Sequence, residues 1–221
     1  MAEDIDLHNQ FLYKLVCSWK EYLQKEVISE LNSGYCIYDD KKRALADIFY
    51  RIYACLTSIS KLNEASDFQS VAILTRTAFE LFVDLKLISD KSEIENYRKF
   101  TKSERYRSAK QIVDYVTEDP SRASKFPDYD ILHDFIKNNT AIPDKKNHWT
   151  GISFKDAAKD AQLEFWYFRV YKFLSWQAHG GFAGQQDLDS DSFKRIYGIS
   201  ITYFLDVLSM SAAMLLNLSY G

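Results

Sequence analysis

Two apolar stretches, each carrying one line of polar residues at a spacing of four, constrain this chain more than any other feature. Ser70 to Ile88 holds Arg76, Glu80 and Asp84, and Phe165 to His179 holds Tyr167, Tyr171, Ser175 and His179. Side chains four apart lie on one face of an α-helix, drifting about 40° per step, so each set forms a slanted polar line on an apolar rod. A helix that is apolar round most of its circumference belongs inside a bundle. The two lines are therefore expected to face each other. That arrangement brings a cation, two carboxylates, a hydroxyl and an imidazole into one cleft.

The rest of the chain reads as helices around this pair. Asp4 to Leu31 repeats apolar residues at helical spacing, and Asn32-Ser33-Gly34 ends that helix. Asp39 or Asp40 caps a second helix running to about Leu62, and Ser66 or Asp67 caps a third over Phe68 to about Ser89. The Ser92-x-x-Glu95 capping box starts a fourth, which Asp119-Pro120 stops after about Val116. Short helices are expected over Tyr129 to Lys137 and after Ser153. Gly180, Gly181 and Gly184 end the second organising stretch, and a last helix runs to about Leu218. No alternating strand pattern appears. The fold class is all-α: a single helical bundle over residues 1–221, with about five long helices and two or three short ones, centred on the third and last.

Composition agrees with few, long elements. Hydrophobic residues make up 47% of 221, aromatics 15%, and there are only 7 Gly and 3 Pro. The net charge of −3 gives no global footprint for nucleic acid. Cys17, Cys36 and Cys55 form no C-x-x-C pair, which fits neither a disulfide framework nor a thiolate zinc site, so a reducing cytoplasm is the expected location. The acidic N-terminus lacks the order of an export signal. Ile196 to Leu218 is long and apolar but holds Asp206, whose insertion into a bilayer centre costs about 3 kcal/mol. A buried core helix is expected there, with no membrane partner.

The chemistry-bearing candidates are His179, Arg76, Glu80, Ser175 and Tyr171. Arg76 and Glu80 are either a buried structural network, costly unless fully satisfied, or part of a pocket. His179, at a helix end before two glycines, is either a C-terminal cap or a general acid/base. No G-x-S-x-G elbow surrounds Ser175. Asp130-x-x-His133 stands alone as a relative of bundle di-iron motifs, so no metal site is expected, and Gly180 to Gly184 follows a helix instead of opening one, so no nucleotide cofactor is expected. On the fourth helix Arg98, Lys102 and Arg105 share a face. They are either a solvated surface or a strip for RNA phosphates. Trp149, Phe182 and Tyr220 look exposed, as a lid or a homo-oligomer interface.

The run Ile73-Leu74-Thr75-Arg76-Thr77-Ala78-Phe79-Glu80 resembles the L-x-R-T-x-x-E helix of a family of prokaryotic helical proteins catalogued as domain of unknown function 5677. Trp149-Thr150-Gly151-Ile152-Ser153, followed by Tyr167, Tyr171, Ser175 and His179-Gly180, is similar to that family's W-x-G-x-S…Y-x-x-x-Y-x-x-x-S-x-x-x-H ending. The resemblance covers roughly Asp40 to the C-terminus. It implies an all-helical fold and an Arg/Glu helix that recurs with a Ser/His helix, without an established activity. Some proteins of that sort look like effectors of bacterial antiviral or toxin systems, a setting shared with the higher eukaryote and prokaryote nucleotide-binding ribonucleases. Those enzymes carry Arg and His about five to seven residues apart on one helix. Here Arg169 and His179 are ten apart, so a ribonuclease would need Arg76 and His179 to meet across helices.

Two functional expectations follow. One is a module that binds a small ligand or a protein partner in the Arg76/Glu80–Ser175/His179 cleft. The other is a metal-independent ribonuclease or nucleotide-processing effector, with His179 as acid/base, Arg76 stabilising phosphate charge, Glu80 orienting one of them, and Tyr171 and Ser175 supplying hydrogen bonds.

Overall fold

The computed structural model describes residues 40–64, 68–91, 94–139, 148–172 and 174–175, together with Lys14, Ser18, Glu21 and Lys25. Every described element is helical, as expected for an all-α chain. The expected first and last helices, Gly180 to Gly184, His179, Phe182 and Tyr220 lie outside the described residues. The chain divides into two compact units, one made of Met1–Ser92 with Lys155–Gly221, the other of Glu93–Phe154.

In the first unit, helix α1 spans Asp40–Glu64 and helix α2 spans Phe68–Lys91. Both bounds fall within two residues of those read from caps and periodicity, the usual uncertainty at frayed ends. Among the buried residues of α1, Leu45, Ile48, Phe49, Ile52, Leu56 and Ile59 follow one helix face. In α2 burial runs nearly all round, with Phe79, Phe82, Val83, Leu85, Leu87 and Ile88 at 1% exposure or less. Each such large side chain contributes about 1.5–3 kcal/mol of transfer free energy. The two helices pack on each other. Lys41 Nζ at the start of α1 donates to the Ser89 carbonyl near the end of α2 at 2.9 Å, which sets them antiparallel and places a cation where the α2 dipole is negative. Thr75, fully buried, donates its hydroxyl to Val71 O at 2.7 Å and so leaves no orphan. Cys55 is buried and free.

Helix α5 of this chain, Phe154–Asp160, lies almost wholly in the first unit and ends in a Schellman turn. Leu163 N–H donates to Ala158 O at 2.8 Å and Gln162 N–H to Lys159 O at 2.9 Å. Gln162 has φ 59°, a conformation that glycine adopts at less cost. Leu163 and Ala158, the two ends of the first of these bonds, are both buried. A short helix α6, Glu164–Trp166, continues into a wide π turn over Tyr167–Tyr171.

The second unit holds α3, Ile94–Glu118, and α4, Tyr129–Asn138, joined by a 3-10 turn, Pro120–Lys125. Proline at the first position and Asp119, whose Oδ1 accepts from Ser121 N at 3.1 Å, stop α3 as the sequence indicates. The Ser92 half of the expected capping box lies outside the described residues. Trp149 corrects an expectation. It is 2% exposed and sits edge-on to Tyr97 at 5.6 Å and tilted against His148 at 5.7 Å, so it is neither a lid nor an interface residue. Its polar neighbours in sequence disguised a ring that a tight turn folds inward. Gly151 makes that turn, with φ 78° and its N–H on His148 O at 2.9 Å.

The basic face of α3 is largely occupied. Arg98 and Lys99 lie 3.9 and 3.8 Å from Glu95, Arg107 pairs with Glu104, Lys110 sits 2.9 Å from Asp114, and the Arg105 guanidinium stacks 5.1 Å from the Phe135 ring. Such exposed pairs stabilise a helix by a few tenths of a kcal/mol each, about 0.3–0.5.

Candidate functional site

Arg76, Glu80 and Tyr171 meet. On α2 the Arg76 Nη2 lies 3.0 Å from Glu80 Oε1, one helical turn on. From the π turn, Tyr171 inserts its hydroxyl between them: Arg76 Nη2 donates to the phenol oxygen at 3.3 Å, and the phenol O–H donates to Glu80 Oε1 at 2.9 Å. The same ring lies 5.2 Å from the guanidinium carbon, tilted against Phe79 at 5.4 Å and stacked on Tyr167 at 5.4 Å with an interplanar angle of 27°. These offset ring contacts and the cation over the ring each contribute about 0.5–1.5 kcal/mol.

The π turn aims Tyr171. Lys172 N–H donates to Tyr167 O, an i to i+5 bond in place of the α-helical i to i+4 bond. Val170 and Leu174, at 1% exposure each, anchor the segment in the core on either side of Tyr171. The spacing of four along Tyr167, Tyr171 and Ser175 implies a uniform α-helix, whereas the turn between the first two is widened and their rings stack.

Ser175 lies one turn beyond Tyr171, and its Oγ donates to Tyr171 O at 2.8 Å. Its proton is thereby committed to its own helix. Asp84, two turns beyond Arg76, is half-buried. His179 lies outside the described residues. Phe79, inside the Leu74–Glu80 run, walls the cluster through Tyr171, a role that an apolar residue on an apolar helix gives no sequence signal for.

Burial lowers the pKa of the Arg76 guanidinium, but the Tyr171 hydrogen bond and the Glu80 charge outweigh it, and the net direction is up. Burial raises the Tyr171 phenol, with Glu80 adding to the rise and Arg76 opposing it. Around neutral pH this trio thus holds a permanent cation and a protonated phenol. Neither of these two groups is poised to exchange a proton near neutral pH. Their hydrogen-bonding capacity is not exhausted. Arg76 Nε is buried and has no hydrogen-bond partner, a state that costs about 1–3 kcal/mol when nothing satisfies the donor. The side chains of Arg76 and Glu80 remain 22% and 38% exposed.

Among the described residues no group of three or more His, Cys, Asp or Glu could hold a metal ion, and no helix is long and apolar enough to cross a membrane. No curated protein and no solved structure matches the chain significantly. A family model does match, over residues 42–195, a span that includes both Arg76 and Glu80 of α2 and Tyr171 and Ser175 beyond it. The chain belongs to the family of unknown function DUF5677.

Proposed function

We propose that this protein is a non-catalytic helical binding module, in which Arg76, Glu80 and Tyr171 seat a polar group of a small ligand or of a partner chain. The partial exposure of the Arg76–Glu80 pair, 22% and 38%, with Tyr171 bonded to both, carries this reading. A rigid cluster that holds a fork-shaped cation, an open carboxylate edge and a protonated phenol offers donors and an acceptor side by side, fixed before any ligand arrives. Ser175 and His179 are assigned to the same proposed site from their spacing beyond Tyr171 in the sequence.

The test is a thermal-shift measurement on the full chain with three probes: a nucleoside monophosphate, a dicarboxylate and an amidated peptide. At least one is expected to raise the melting temperature of wild type and to lose that effect in Arg76→Lys, which keeps the charge but not the planar fork. Equal shifts in the two proteins would remove the cluster from the binding site. RNA cleavage by wild type that disappears in His179→Ala would replace the binding module with an enzyme.

A further inference from the structure

The segment that turns Tyr171 toward Arg76 shows a different chemistry on its solvent side. Phe165, Phe168, Arg169 and Lys172 lie along α6 and the π turn that follows it, and all four are exposed. Phe165 is 66% and Phe168 49% exposed. Lys155, from α5, reaches the same place. Its Nζ lies 5.3 Å from the centroid of the Phe168 ring, and Lys172 Nζ lies 6.0 Å from it. Lys155, Arg169 and Lys172 make no ion pair among the described residues. The neighbouring acids Asp156 and Asp160 have interactions of their own.

We propose that this face binds single-stranded nucleic acid, with Phe165 and Phe168 stacking on bases and Lys155, Arg169 and Lys172 meeting phosphates. Charge complementarity selects the occupant. An apolar partner would have to desolvate three cations that have no carboxylate to receive them. A second copy of the same face would bring like charges together. A single strand supplies an anion for each cation and a flat π surface for each ring, and it is tolerant of sequence because every base has such a surface. The face is separate from the Arg76 cluster and does not rest on the binding role proposed for it. It also differs from the α3 strip, where Arg98 and Arg105 are already engaged.

The experiment is fluorescence anisotropy of a short labelled oligouridylate with the full chain, each variant first checked for helical content by circular dichroism. Binding is expected to weaken between about 50 and 200 mM salt, with a log–log slope of about −2 for three phosphate contacts. Phe168→Ala is expected to weaken it at least about fivefold, the lower end of what one stacked base contributes. The double variant Lys155→Gln/Lys172→Gln should flatten the slope, whereas Lys125→Gln should match wild type. Absence of binding, or unchanged binding by Phe168→Ala, overturns the proposal. So does loss of binding in Lys102→Gln with Phe168→Ala intact, which moves the site to α3. Phe168-dependent binding of phosphatidylglycerol vesicles or polyglutamate, without binding of oligouridylate, also overturns it.

Discussion

Arg76 and Arg122 have nearly the same surroundings and opposite reach. Each guanidinium lies over a tyrosine ring, 5.2 Å from the Tyr171 centroid for Arg76 and 4.1 Å from that of Tyr115 for Arg122. Each faces carboxylate: Glu80 at 3.0 Å in one case, Glu118 at 3.6 Å and Asp119 at 3.3 Å in the other. Their exposures are close, 22% and 27%. Yet Arg76 takes its hydrogen bond to Tyr171 from 95 residues away, whereas Arg122 donates to Tyr115 O, 7 residues back. A local contact costs little loop entropy and tightens a turn that its own sequence already favours. A distant contact exists only after the segments holding it have been brought together, so its loss is felt throughout the first unit. Identical chemistry thus stabilises a corner in one place and ties two stretches of chain in another.

The comparison breaks most visibly at Arg76. Arg76→Ala removes a charge-assisted pair and leaves Glu80 and Tyr171 without their cation. A loss of about 2 kcal/mol in urea unfolding is expected, and a loss no greater than that of Arg122→Ala would erase the distinction between the two arginines.

Tyr171→Phe should cost about 1 kcal/mol, the net worth of one hydrogen bond, and it carries a pH signature. The folded-state phenol titrates above its ordinary value of about 10 because burial penalises the phenolate. The unfolded chain therefore loses this proton first as pH rises. The contribution is fully present below about pH 10 and is lost as pH climbs through the raised folded value. Stability of wild type measured by urea unfolding should fall more steeply above that pH than stability of Tyr171→Phe. Parallel curves would mean that the phenol is not held by the cluster.

The smallest effect belongs to Arg122→Ala, about 0.5 kcal/mol, because its contacts are local and its carboxylate partners, at 75% and 45%, are more exposed than Glu80 at 38%. Amide exchange sharpens this prediction: protection should drop around the 3-10 turn Pro120–Lys125 and stay unchanged in α1 and α2. Loss of protection in both units would show that the corner is not local after all.

Much of the helical framework was legible from residues with strong local preferences. Asp119-Pro120 stops α3 through a missing N–H and a side-chain acceptor, and the apolar faces of α1 and α2 emerge from spacing alone. The encounter of Arg76 and Glu80 with Tyr171 was legible for a different reason: a half-buried ion pair on an apolar helix needs a polar neighbour, and only a few other stretches offer one. What stayed hidden depends on packing. The π turn at Tyr167–Tyr171 is a choice of hydrogen-bond partner that no residue type announces. Phe165 and Phe168 count as apolar in any periodicity, so nothing in the pattern tells that they face outward while Val170 and Leu174 face the core. Trp149 failed the opposite way, its inward turn resting on the φ 78° of Gly151.

The π turn also separates what the segment can change from what it must keep. Along a uniform α-helix the phase of every side chain follows from that of its neighbours, so an insertion that re-aims one face re-aims all of them. A single wide turn behaves as one residue of slack. The outward rings and the hydroxyl that meets Arg76 are therefore not locked to one helical phase.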